Sequence, residues 1–101
     1  MLFLTFGFYS VMLEGTYMLV FHEQPHAPVR VFVDFNGKQI QPKAFFWGGR
    51  RYDVASVNLV YQRRRGKGYD WCFAVSDAAN SYVLAYNPES LEWILEEVQG
   101  Q

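Results

Sequence analysis

Tyr69-Asp70-Trp71-Cys72-Phe73-Ala74-Val75 is the stretch on which the fold turns. Its bulky apolar side chains, Tyr69, Trp71, Phe73 and Val75, fall on every second residue. A period of two belongs to a pleated strand with one face in a core, and a helix would scatter these four side chains around its axis. The same period recurs downstream in Tyr82, Leu84 and Tyr86, after a turn at residues 77–80. Upstream, Val29, Val31, Val33 and Phe35 alternate and end at Asn36-Gly37. That pair favours a type I′ hairpin, whose two central residues both need positive φ.

A second strand starts at Lys38. Pro42 has no N–H to donate and bends or bulges it. Residues 43–47 continue as strand to a turn at Gly48-Gly49. A long strand then covers residues 51–63. Tyr52 and Val54 share one face, and Val57, Leu59 and Tyr61 share one face, so the period slips and predicts a β-bulge near Ala55 and Ser56. Residues 63–68 form a basic turn. The C-terminal segment fits two templates: Leu91, Ile94, Leu95 and Val98 have helical spacing after Asn87-Pro88-Glu89, whereas Leu91, Trp93 and Leu95 fit a strand face. The strand is the preferred reading, because every element before it is a strand.

These elements predict an all-β chain. About six strands form a small, strongly curved antiparallel meander that closes into an open barrel of the Src-homology-3-like kind, which hides its edges. The expected core comprises Val31, Val33, Phe46, Tyr52, Val54, Val57, Leu59, Trp71, Phe73, Val75, Leu84, Trp93 and Leu95. With 101 residues, half of them apolar and 19% aromatic, the chain has the size and the material for one folded domain. The expected division is an apolar appendage with a proline linker at 1–28, the barrel at 29–98 and a tail at 99–101. Cys72 is the single cysteine, so no internal disulfide is possible, and a cytoplasmic setting is expected.

The first 13 residues, MLFLTFGFYSVML, are apolar, and Glu14-Gly15 interrupts before TYMLVF. No Lys or Arg precedes Arg30, which is unlike a secretory signal. Glu14, Gly7 and Gly15 spoil the run of about 20 apolar residues that a spanning helix needs. A hairpin on the domain, a weak membrane anchor and upstream sequence before an internal start at Met12 or Met18 are the three readings, with a segment outside the core domain preferred.

The run Pro42-x-Ala44-Phe45-x-Trp47-x-Gly49-Arg50-x-Tyr52-x-Val54-x-x-Val57 resembles the signature of a small bacterial family of unknown function. The later order, Trp71-x-Phe73-x-Val75, Tyr82-x-Leu84 and Trp93-x-Leu95-x-x-Val98, is similar as well, so the resemblance covers about residues 29–98. It implies a short β-rich protein. Some members are encoded near translesion DNA polymerases, which implies a nucleic-acid context. It implies no catalytic residues.

Charge is segregated along the chain. Residues 1–37 carry a net charge of −2, residues 38–67 one of +7 and residues 68–101 one of −6. The basic residues Arg50, Arg51, Arg63, Arg64, Arg65 and Lys67, with Tyr61 and Tyr69 flanking the hairpin tip, are the candidate nucleic-acid-binding set. Guanidinium forks bind phosphates and aromatic faces stack on bases. The competing reading is a solvated hairpin tip, neutralised by the acidic residues that follow Gly68. Glu89, Glu92, Glu96 and Glu97 read as the charged outer face of an edge strand.

Other chemistry is weak. His22-Glu23-Gln24-Pro25-His26 mimics a zinc-protease motif, but that motif needs a helix and Pro25 breaks one. Cys72 has no histidine near it in sequence and reads as a small buried or half-buried residue. The aspartates are dispersed, and Gly48-Gly49 and Gly66-x-Gly68 lack the strand–loop–helix setting of a phosphate loop. The expectation is therefore a binding module, not an enzyme, with no cofactor, metal or small-molecule substrate. Two classes remain. A nucleic-acid-binding accessory protein, acting on single strands, requires the two basic clusters to converge around an exposed aromatic. A protein-interaction or self-associating module requires an exposed apolar strip at an open sheet edge, without that convergence.

Overall fold

A computed structural model describes residues 6–13 and 16–100, with side chains described for residues 22–35 and 37–100. The described residues form nine strands in order: β1 (Phe6–Leu13), β2 (Thr16–Glu23), β3 (Ala27–Asn36), β4 (Gln39–Trp47), β5 (Arg50–Asp53), β6 (Ser56–Arg65), β7 (Gly68–Ser76), β8 (Asn80–Asn87) and β9 (Glu92–Gly100). All pairings are antiparallel. The main path runs β5-β4-β3-β9-β8-β7-β6, so the meander closes on itself where β3 meets β9. Beyond residue 28 there are seven strands where six were expected. The extra one arises because the long strand predicted over residues 51–63 is two strands. Among the described residues, no helix is long and apolar enough to cross a membrane.

The break between β5 and β6 shapes the molecule. Val54 donates its amide to the carbonyl of Lys43 on β4, and the next amide, Ala55, donates to the carbonyl of Ser76 on β7, both at 2.9 Å. β5 and β6 lie at opposite ends of the strand order, so this corner draws the two ends of the sheet together and curls it into an open half-barrel. The period slip expected as a bulge at Ala55 and Ser56 is this corner. The bulge of β6 lies further on, at Asn58, between the pairs Val57↔Val75 and Leu59↔Ala74.

Three bulges set which residues face inward. Pro42 opposes Val33 and Ala44 opposes Phe32, so Lys43 is extra. The added residue reverses the alternation beyond it. Phe45, not the expected Phe46, therefore enters the core, where it stacks on Tyr52 and meets Tyr82 edge-on. Phe46 lies on the outer face against Phe32. The bulge at Asn58 puts Val57 on the inner face and Leu59 and Tyr61 on the outer one. Both Val57 and Leu59 are exposed, so neither belongs to the core as expected. On β9, Leu95 opposes Leu84 and Val98 opposes Tyr82, so both face inward despite their spacing of three.

The core consists of Phe45, Phe73, Val75, Tyr82, Leu84, Leu95 and Val98, with Val31, Tyr52, Val54, Trp71 and Trp93 packed around it. The hairpin turns use glycine where φ must be positive. Gly48 and Gly49 both have it, as a type I′ turn requires. The β3–β4 turn sits one residue later than Asn36-Gly37 suggests: Asn36 pairs with Gln39, leaving Gly37-Lys38 as the central pair, and of these two only Gly37 has positive φ.

β9 is not the edge strand that its glutamates suggested. It pairs with β8 on one side. On the other, β3 covers Trp93–Leu95 and β2 covers Val98–Gly100, the pairs running Val29↔Trp93, Ala27↔Leu95, Phe21↔Gly100 and Glu23↔Val98. β2 and β3 thus lie end to end along β9, with residues 24–26 between them. β1 pairs with β2 alone.

The reversal at Lys43 gives a direct check. By urea unfolding, Phe45→Ala is expected to cost about 3–5 kcal/mol, and Phe46→Ala about 1 kcal/mol. Equal losses would put the core on the wrong face of β4.

Candidate interaction wedge

β5 is only four residues long. It covers the edge of β4 from Ala44 to Trp47 and, among the described residues, leaves 39–42 with an unpaired edge. Among the described residues β6 pairs with β7 on one side only. From the corner at Val54 and Ala55, these two free edges run outward as the walls of a wedge of about 450 Å³. Lys38, Gln39, Ile40 and Gln41 form one wall, Val57 and Val60 the other, and Trp71 and Phe73 the floor. The walls extend some four or five residues from the corner, about 15 Å.

β6 is unusual for an exposed edge. It is ten residues long, and Val57, Leu59, Val60 and Tyr61 are 38%, 57%, 46% and 38% exposed. Natural edges are commonly short or guarded by charge or proline. Here the charge is confined to one end, Arg63–Arg65.

Alternation divides those arginines. Arg63 opposes Asp70 and lies on the outer face with it. Its guanidinium forks onto both oxygens of Glu96 on β9, one bond being 2.8 Å, and stands 3.6 Å from Asp70. The hydrogen bonds to Glu96 hold Arg63 above its ordinary pKa. Arg65 donates to Asp70 at 2.7 Å and to Asn87 at 3.0 Å, and its bond to Asp70 raises its pKa in the same way. Arg63 therefore straps β6 across β7 and β8 to β9. Cys72, which opposes Tyr61 on this outer face, is fully buried, and burial pushes its thiol up, away from the reactive thiolate. Partial burial raises the Tyr61 hydroxyl as well.

Arg64 points the other way. It opposes Tyr69 on the inner face, with its guanidinium 6.0 Å from the Tyr69 ring centroid, and its side chain donates to the carbonyl of Gly66. Lys67 follows in the turn.

Arg50 and Arg51 do not join this group. They line a second hollow with Trp47, Asp77, Asn80 and Tyr82, beside the β7–β8 turn. The nine residues of β7 separate that turn from the β6–β7 tip, about 27 Å. Arg51 is bonded to Asp53 at 2.8 Å and lies over Phe32, and Arg50 lies over Tyr52. In this hollow Asp77 accepts hydrogen bonds from the amides of Ala79 and Asn80 and from the Tyr82 hydroxyl, all within 2.7–2.8 Å. Burial works to raise the Asp77 pKa, but these donors outweigh it and hold the carboxyl below its ordinary value. Burial and the bond to Asp77 push Tyr82 up to about 12.

The histidine pair lies on no helix. His22 is on β2, 3.5 Å from Glu97, and His26 sits in the linker with φ of 46°. Among the described residues, no three His, Cys, Asp or Glu side chains gather as a metal would need. No protein-family profile matches the chain, and neither a curated protein nor a solved structure matches it.

Because the folded-state pKa of Asp77 is depressed, its contribution to stability is complete at neutral pH and is lost as pH falls through the carboxylate range. Asp77→Ala is expected to cost about 1 kcal/mol at neutral pH, and thermal unfolding should show the gap to the parent protein narrowing below about pH 4. A gap independent of pH would remove the charge from this account. Amide exchange checks the free edge. About half the β6 amides, those directed away from β7, should exchange rapidly while the β8 amides stay protected. Protection along the whole of β6 would mean that the edge is covered in solution.

Proposed function

We propose that this protein is an interaction module that binds an extended segment of a protein partner by strand addition in the wedge between β4 and β6. The observation that carries the reading is the juxtaposition of two unpaired strand edges over an apolar floor. A strand lying between them finds backbone donors and acceptors on both sides, while every second side chain reaches Trp71, Phe73, Ile40, Val57 and Val60. Main-chain hydrogen bonds then supply affinity, and the pockets for alternate side chains supply selectivity. The separation of Arg50 and Arg51 from the β6–β7 tip, and the carboxylates on Arg63 and Arg65, favour this reading over a continuous phosphate-binding track. The buried, unpaired Cys72 fits a cytoplasmic setting for it.

Selection from a phage-displayed library of random peptides tests the proposal. The parent protein is expected to enrich sequences with apolar residues at alternate positions, and a Val57→Arg/Val60→Arg variant to enrich none of them. Both positions are exposed, so the variant should retain the parent's melting temperature. Identical enrichment on parent and variant, or none on either, would sink the reading.

A further inference from the structure

The wedge has a polarity that points to the chemistry of its occupant, an inference that rests on the strand-addition reading above. At the corner its walls converge on the Val54 and Ala55 amide hydrogen bonds, where no charged side chain lines it among the described residues. Lys38, in the β3–β4 turn, stands at the wedge mouth on one wall; Arg64 lies past the mouth on the inner face of the other, two pleats or about 13 Å beyond Val60, along the path of a strand that emerges beside β6. Among the described residues neither makes an ion pair, whereas Arg63 and Arg65, on the outer face of the same strand, are held by Glu96, Asp70 and Glu89. Alternation therefore sorts one arginine run into two populations. The outward arginines are matched by carboxylates of the chain itself. The inward one shares the inner face with Val57 and Val60, unmatched by a carboxylate among the described residues, over the half-exposed ring of Tyr69.

We infer that the occupant is a protein segment of about five alternately apolar residues, followed at the wedge mouth by one or more carboxylates that Lys38 and Arg64 receive. The floor selects apolar side chains, the edges demand a peptide backbone, and the cations select the charge of the end that emerges. A nucleic acid would satisfy the cations and leave the unpaired edges and the apolar floor unused. The pairing also sets direction. β4 and β6 run antiparallel to one another in the strand order, so the occupant is antiparallel to one wall and parallel to the other.

The test is fluorescence anisotropy of the full chain with an array of labelled peptides of about eight residues. The peptides carry Val, Ile, Leu or Phe at alternate positions and end in paired Glu, Gln or Lys at either terminus. A labelled oligothymidylate is included, and all probes are run at low and high salt. Acidic-ended peptides are expected to bind at least about tenfold more tightly than basic-ended ones at low salt, with the difference shrinking at high salt. A Lys38→Glu/Arg64→Glu variant should abolish or invert the preference while still binding the Gln-ended peptides. Val57→Arg/Val60→Arg should bind none. If all three ends bind equally and binding depends on Val57 and Val60, the acidic occupant falls and strand addition stands. If no peptide binds the parent protein, both fall. Oligothymidylate that binds through Arg64 where the peptides fail would assign the wedge mouth to nucleic acid and overturn the inference.

Discussion

Two consecutive backbone amides govern this structure. Val54 bonds to β4 and Ala55 bonds to β7, each at 2.9 Å. A flat sheet in the order β5-β4-β3-β9-β8-β7-β6 would hold those acceptors four strand spacings apart, so a single peptide step between them requires curvature. The curl brings the inner faces of β4, β7, β8 and β9 around one core, in which Phe45 meets Tyr82 and Tyr52. It leaves the barrel incomplete for a simple reason. β5 ends at Asp53, after four residues, so it shields only half of β4. A longer β5 would have filled the wedge with this chain's own backbone.

Strand existence was legible because alternation is a local property. Tyr69 to Val75 and Tyr82 to Tyr86 read directly as β7 and β8, and the strand reading of the C-terminal segment agrees with β9. Parity across a bulge was not legible, because a bulge is defined by the partner strand. Lys43, Asn58 and the segment between Leu95 and Val98 each insert one residue, and each reverses the facing of the residues beyond it. Hence Phe46 was expected where Phe45 lies, and the helical spacing of Leu95 and Val98 proved to be a bulge. Pro42 did carry a trace of the first of these, since a residue without an N–H commonly marks irregular pairing.

The candidate site was legible only in part. An open edge with an apolar strip was one of two expectations, but the sequence placed the edge at the acidic C-terminus. β9 is central because β2 and β3 abut along it, an arrangement that no local pattern announces. Charge was ambiguous for a similar reason. A net +7 over residues 38–67 suggests one basic surface. In the fold, β7 holds Arg50 and Arg51 away from the tip, and pleating sends Arg63 and Arg65 to one side and Arg64 to the other. The acidic C-terminal segment supplies Glu96 and Glu89 to the outward pair, so linear segregation becomes spatial interleaving.

The ion pairs on the outer face bear on the wedge through geometry, not charge. An edge strand held by a single neighbour tends to fray, and ordering it on binding would cost conformational entropy. β6 is fixed at both ends by other means. The corner anchors Ser56 beside Ser76, and the Arg63–Glu96 and Arg65–Asp70–Asn87 contacts anchor the far end to β7, β8 and β9. Exposed ion pairs contribute little stability singly, but a forked Arg–carboxylate pair does fix orientation. The strand with the free edge is therefore already held in place, and the ordering cost of adding a partner strand would fall mainly on the partner. The arginines on the outer face hold the edge strand, and Arg64 on the inner face is left without a carboxylate among the described residues.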